Sequence, residues 1–222
     1  MRKRYKTLFL DWDGTLSVSR FWEHWQFDRP QEYGLIQERL FRARPDIIVS
    51  WMRGQMTSEE CVNLISHDIG LSRDFLLTEL EQSCRMMRFV DPGVARLIAE
   101  IRKCGLKVVI ATDNMDTFPR WTVPALNLNE LFDDILDSHT LGGLKKDTTA
   151  DGESVFFAGY IQQNNIEPKG CLLIDDSVGT AAAVQSFGID VIRLETGEGL
   201  AGTLFDVLQV HSVEPKREIV DK

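Results

Sequence analysis

The chain predicts an α/β protein: a doubly wound, parallel, Rossmann-like sheet with a smaller α-helical cap inserted after the first strand. Three observations predict it. Short apolar runs of strand length alternate with helical patterns, which is how a parallel sheet with crossover helices reads. Three of those runs end in polar clusters, at Asp11/Asp13, Thr112/Asp113 and Asp175/Asp176, where doubly wound sheets bind their ligands. Residues 17–88 break the alternation and are mostly helical in pattern.

The first run, Thr7–Leu10, is continuously apolar after its threonine, as expected of a strand covered on both faces. Asp11-Trp12-Asp13-Gly14-Thr15 follows directly. Residues two apart in an extended chain project to one side, so Asp11 and Asp13 face a single ligand while Gly14 lets the chain turn away. Two carboxylates about 4 Å apart repel by roughly 4 kcal/mol at an effective dielectric of about 20. Such a pair keeps a proton or shares a divalent cation. The bland alternative is a strand-to-turn junction, where Asp is common because it hydrogen-bonds turn backbone.

The insertion at 17–88 has a helix start of the capping-box kind at Thr57 or Ser58 with Glu59 and Glu60. It holds nine arginines and no lysine, together with Trp22, Trp25 and Trp51. Arginine favours bidentate anion binding and stacking. The cap therefore either grips an anionic or aromatic substrate, with Arg20 and Arg53 as candidate contacts, or uses these residues for helix salt bridges and a small core of its own. Asp91-Pro92-Gly93 marks the return to the sheet.

Beyond it the pattern predicts a helix over Val94–Lys103 closed by Gly105 and a strand over 106–111. A helical stretch over 118–126 is weakened by Pro119 and Pro124, and another helix covers 155–164. A strand over 171–174, a helix over 179–187 closed by Gly188, and a strand over 191–194 complete the core. The expected division is a catalytic core from 1–16 and 89–212, a cap from 17–88, and a charged tail from 213–222.

With 222 residues, 43% of them hydrophobic, the chain can bury one large core. A net charge of −9 argues against nucleic-acid or acidic-membrane partners and leaves a small solute as the expected one; oligomeric state is left open. Cys61, Cys84, Cys104 and Cys171 lack CxxC spacing, and the four histidines are scattered, so neither a zinc site nor a disulfide framework is expected. The apolar stretch after the basic first residues ends at Asp11, too short for a signal peptide, and no run has membrane-spanning length, so a cytoplasmic protein is expected. No glycine-rich fingerprint opens the first helix, which sets a nucleotide-dependent dehydrogenase aside.

Residues 7–16 and 89–194 together resemble the haloacid dehalogenase superfamily, in particular its aspartate-nucleophile phosphatases with an inserted helical cap. The resemblance implies that Asp11 is the nucleophile and Asp13 the general acid and base. Elementary chemistry agrees: a carboxylate can attack phosphorus, and a second carboxyl held protonated by acidic neighbours can protonate the leaving alcohol. It implies that Thr112, ending a strand, holds a phosphoryl oxygen, with Asp113 beside it where family members often carry Asn. By its spacing from Ser138 and Gly143, Lys146 is implied as the lysine that neutralises nucleophile and phosphate, with Lys145 as runner-up. Asp147 stands where the family has proline, and 148–154 reads as a short insertion. Asp175 and Asp176 are implied ligands of Mg²⁺, joined by Asp11 and the main-chain oxygen of Asp13; hard oxygen donors suit that ion. The implied activity is Mg²⁺-dependent hydrolysis of a small phosphorylated metabolite. A phosphomutase on the same core and a silent phosphometabolite-binding regulator are the alternatives. A dehalogenase is disfavoured, because in the family that chemistry does without the second aspartate, here Asp13.

Overall fold

In the computed structural model, which describes residues 3–212, five strands form one parallel sheet in the order β3-β2-β1-β4-β5. They are β1 (Thr7–Leu10), β2 (Lys107–Thr112), β3 (Asp134–Asp137), β4 (Cys171–Asp175) and β5 (Asp190–Arg193). Successive strands step outward from β1 to β3 on one side, while β4 and β5 lie on the other. The strand order therefore reverses beside β1, and the crevice beyond its carboxyl end is the switch point where such sheets take ligands. Register fixes the floor of that crevice. Leu10 pairs with both Ile110 and Ile174, so the residues after β1 emerge level with the ends of β2 and β4.

The insertion carries α1 (Trp25–Asp28), α2 (Pro30–Ile36), α3 (Pro45–Met52), α4 (Ser58–Ile69) and α5 (Arg73–Arg85), with a π-helical turn at Gln37–Arg42. The capping box is present: Thr57 accepts from the Glu60 amide and Glu60 from the Thr57 amide, and Gly70 ends α4 at φ 74°. The core helices are α6 (Val94–Lys103), α7 (Val123–Ala125), α8 (Leu128–Leu131), α9 (Ser138–Leu141), α10 (Ala158–Gln163), α11 (Val178–Ser186) and α12 (Leu200–Ser212). The prolines that weaken 118–126 have a visible effect. That stretch is a π-helical turn at Phe118–Thr122 followed by the short α7, because Pro119 and Pro124 bring no amide to a regular ladder.

Four elements of the core lie outside the sequence reading: the short helices α8 and α9, and β3 and α12. β3 has only Ile135 and Leu136 between aspartates, and as an edge strand beside β2 it tolerates those charges. α12 buries Leu200, Leu204 and Val207 at helical spacing. The charged tail at 213–222 falls outside the described residues.

Side chains alternate across the strands and divide the core. Phe9, Val109, Ala111 and Leu173 face Phe156, Phe157 and Tyr160. Leu8, Leu10, Val108, Ile110 and Ile174 face Val94, Ile98 and Ile101 of α6, and that apolar cluster continues without a break through Trp22, Trp51, Ile65, Leu76 and Leu80 of the insertion. All three cap tryptophans are buried, and their indole N–H groups are used internally: Trp22 donates to Leu76 O, Trp25 to Glu79 and Trp51 to Asp116. Eight of the nine cap arginines pair with carboxylates, most of them within or between the cap's own helices. Among the described residues no helix is long and apolar enough to cross a membrane.

Candidate active site

Strand β1 ends in a tight turn built by backbone hydrogen bonds. Leu16 N–H donates to Asp11 O, Ser17 N–H to Trp12 O, and Gly14 N–H to Ser17 O. Trp12 is buried and packs between Phe89 and Phe118 at ring distances of 5.6 and 5.4 Å. Gly14 has no substitute here. Its φ is 85°, and a Cβ would lie 2.1 Å from Asp176 Oδ2, so the turn and the acid of β4's end touch through a missing side chain.

Asp11 is 5% exposed. Its Oδ1 accepts from Trp12 N–H at 2.8 Å and from Lys145 Nζ at 2.9 Å, which leaves Oδ2 without a hydrogen bond among the described residues. Burial pushes its carboxyl well above the usual range and Asp175 and Asp113 push it further, while the Lys145 ammonium draws it back. The same ammonium donates to Asp175 Oδ2 at 2.6 Å, and Asp175 Oδ1 takes the Ser177 amide at 2.7 Å. Burial lowers the titration of Lys145, but Asp11, Asp175 and Asp113 outweigh it and hold it above the ordinary lysine value.

The sequence spacing favours Lys146 for this position; the structure places Lys145 there, 1% exposed, and turns Lys146 outward at the cleft rim. The cause is the turn that carries them. Asp147 accepts the Leu144 amide and donates its own amide to Leu144 O, and Asp113 accepts the Lys145 amide at 2.8 Å. These bonds aim one lysine inward and the next out. The two residues that depart from the family pattern, Asp113 and Asp147, are thus the anchors of the lysine loop.

Other expectations are corrected in the same way. Thr112 is buried, its hydroxyl has no partner among the described residues, and it does not line the cleft; Asp113 and Asn114, one and two residues further on, do. Arg53 does not line the cleft either. It bonds Asp147 Oδ1 at 2.8 Å and so ties the end of α3 to the lysine loop. Arg20 does line it, and its guanidinium engages Asp13. Asp13 keeps 58% of its side-chain surface open, yet the walls around it raise its carboxyl above the usual range; Arg20 opposes that shift and Asp176 adds to it.

One carboxylate oxygen each from Asp11, Asp175 and Asp176 lies within 4.8 Å of the others, and Thr196 Oγ1 donates to Asp176 Oδ2 at 2.6 Å. Asp11, Asp13, Asp113, Asp175 and Asp176 converge on two engaged cations, Lys145 and Arg20. A hard divalent cation fits that excess of oxygen charge.

The cleft has two chambers. One, of about 330 Å³, is the acidic site with Asp11, Lys145 and Asp176. The other, of about 360 Å³, lies under the cap and is walled by aromatic and sulfur-bearing side chains. Asp13, Arg20, Met52 and Asp113 border both. The apolar chamber was missed from sequence because phenylalanines and methionines at helical spacing read as core.

Solved structures that share this fold include the following three. A predicted HAD-like family hydrolase from Porphyromonas gingivalis aligns over 93% of this chain and 99% of its own, at 15% identity and a TM-score of 0.66. A HAD family enzyme from Bacteroides thetaiotaomicron, in complex with magnesium and inorganic phosphate, aligns over 90% and 98% at 17% identity and a TM-score of 0.62. The L-2-haloacid dehalogenase of Xanthobacter autotrophicus, with chloropropionic acid covalently bound, aligns over 86% and 77% at 16% identity and a TM-score of 0.64. No curated protein matches the chain by sequence. The family model for haloacid dehalogenase-like hydrolases matches residues 5–188, a span that takes in every strand but β5 and the acids of the crevice, and the chain belongs to that family.

Proposed function

We propose that this protein is a Mg²⁺-dependent phosphatase that hydrolyses a small phosphorylated metabolite, a phosphomonoester, through an aspartyl phosphate on Asp11. The observation that carries the reading is the pairing of Asp11, one oxygen fixed by Lys145 and the Trp12 amide, with a second carboxyl, Asp13, two residues on at the open side of the cleft. Mg²⁺ held by Asp11, Asp175 and Asp176 would supply Lewis-acid neutralisation of phosphoryl charge.

The chain's own groups account for the rest. The free Oδ2 of Asp11 attacks phosphorus, and the bond from phosphorus to the ester oxygen breaks. Asp13 gives its proton to that departing oxygen, so the alcohol leaves neutral. Asp13, now a carboxylate, takes a proton from water, which attacks the same phosphorus and releases phosphate with Asp11 restored. Lys145 offsets the negative charge that gathers beside Asp11, in a pocket where burial strengthens the attraction.

The test measures phosphate release from 4-nitrophenyl phosphate, with and without Mg²⁺, by the wild type and by Asp11→Asn, alongside chloride release from 2-chloropropionate. Mg²⁺-dependent phosphate release abolished by the substitution is the expected result. Turnover that survives Asp11→Asn, or chloride release in place of phosphate release, overturns it.

A further inference from the structure

The apolar chamber lies beside Asp13 but away from Asp11, Lys145 and Asp176. On the proposed reading, Asp13 protonates the leaving oxygen. Whatever is attached to that oxygen therefore extends from the boundary between the chambers into the space under the cap. We infer that the substrate is a phosphomonoester whose alcohol is an uncharged, predominantly apolar group of roughly the size of one substituted aromatic ring. This rests on the phosphatase reading and names the substrate class for the same site.

The walls carry the argument. Trp12 forms one side, and Phe21 and Phe41, stacked at 6.2 Å, form another. Ile48, Met52 and Met115 fill the rest; thioethers adapt to the outline of a ring or a branched chain. Gln37 and Phe41, four residues apart, both reach this wall from the π-helical turn at Gln37–Arg42, a kind of irregularity that recurs at functional sites. A volume of about 360 Å³ sits at the small end of ligand pockets, which run from about 300 to 1,000 Å³.

Polar alternatives fit poorly. Asn114 Oδ1 already accepts the Met115 amide, and Ser19 Oγ the Arg88 amide. Of the side chains that line this chamber and not the acidic one, Gln37, Asn114 Nδ2 and the Ser19 hydroxyl proton have no partner among the described residues. They can meet some hydroxyls on their own side, but the walls formed by Trp12, Phe21, Phe41, Ile48 and the methionines meet none, so a sugar or a glycerol would lose water over most of the chamber without replacement. A second anionic group would meet Asp13 and Asp113 at the border, where Arg20 is already engaged. An apolar alcohol meets neither obstacle.

The experiment compares kcat/KM of the Mg²⁺-loaded enzyme for 2-phenylethyl phosphate and for glycerol 1-phosphate, two alkyl esters, in the wild type, Phe41→Ser and Ile48→Asn. A wild-type preference for the phenyl ester of at least about tenfold, collapsing towards one in both variants, is the expected result. Equal use of the two esters, or preference for glycerol 1-phosphate, overturns the inference. Hydrolysis of neither ester overturns the phosphatase reading instead. Calorimetric binding of 2-phenylethylphosphonate against 2,3-dihydroxypropylphosphonate then decides the chamber by itself. Tighter binding of the phenyl ligand, lost in Phe41→Ser, upholds an apolar chamber, and equal or absent binding of the two removes it.

Discussion

Lys145 carries its charge to a buried position, where Asp11 and Asp175 share one ammonium at 2.9 and 2.6 Å. Removing one member of such a buried set leaves the others uncompensated, at a cost of roughly 3–5 kcal/mol. Lys145→Ala is therefore expected to lower the denaturation midpoint in urea as well as activity. Loss of one preorganised cation beside the developing charge corresponds to about 10²–10³-fold in kcat. Lys146→Ala, at the rim, should fall by less than about tenfold and keep its midpoint, because an exposed charge in water contributes little. Equal losses in the two variants, with stability compared on the same preparations, would show that the inward lysine has been misassigned.

Among the elements, Asp116 stands out. It follows β2 by four residues and reaches the insertion: Trp51 Nε1 and Ser58 Oγ each donate to its Oδ1 at 2.6 Å, the Ser58 amide to its Oδ2 at 3.2 Å, and Arg120 pairs with it from the core side. It thus joins α3, the start of α4 and the sheet at one carboxylate. Burial would raise its titration, but the hydrogen bonds from Ser58, Trp51 and Arg120 outweigh that and hold it below the ordinary aspartate value of 3.8. The sign follows. The unfolded chain binds the proton more readily, so this stabilisation is fully present above pH 3.8 and is lost as pH falls through the lower folded value. Asp116→Ala should cost on the order of 3 kcal/mol at neutral pH, since three buried donors, Trp51 Nε1 and the hydroxyl and amide of Ser58, lose their acceptor at about 1 kcal/mol or more each. Its unfolding free energy should also lose part of the wild type's dependence on pH below 3.8. Urea titrations across that range check both, and an unchanged slope with pH would remove Asp116 as the joint.

At the scale of the whole molecule, the apolar cluster that begins on Leu8 and Leu10 runs through α6 into Trp22, Trp51 and Leu76. Helices of the insertion bury their faces against this shared core, and the link is reinforced where Arg53 meets Asp147, Arg120 meets Glu59 and Ser138 donates to Met52 O. Cap and sheet should therefore unfold together. Calorimetry is expected to show one transition with equal calorimetric and van't Hoff enthalpies, and tryptophan fluorescence should coincide with far-UV ellipticity. Two separate transitions would mean that the insertion has a core of its own.

How much of this was legible beforehand differs from residue to residue. Thr7–Leu10 and the run ending in Asp175 and Asp176 announce themselves, because a strand buried on both faces admits little but apolar side chains and its polar end is abrupt. β3 does not, because an edge strand next to a helix carries charge freely. The acids of the crevice are readable because each adjoins a strand end. Asp116 and the walls of the apolar chamber are not, because their significance depends on segments far apart in the chain.

The sequence by itself determined the alternation of strand and helix, the carboxyl-end location of Asp11, Asp13, Asp175 and Asp176, and the helical stretch that follows the first strand. All of these follow from local periodicity and from residue types next to one another. Only the tertiary structure decided that Lys145 and not Lys146 turns inward, that Arg53 serves the lysine loop, that Thr112 stays off the cleft surface, and that an apolar chamber opens beside Asp13. The physical reason is that each depends on which distant groups fill the space around it. Two neighbouring lysines have the same chemistry until Asp113 and Asp147 bind the backbone between them.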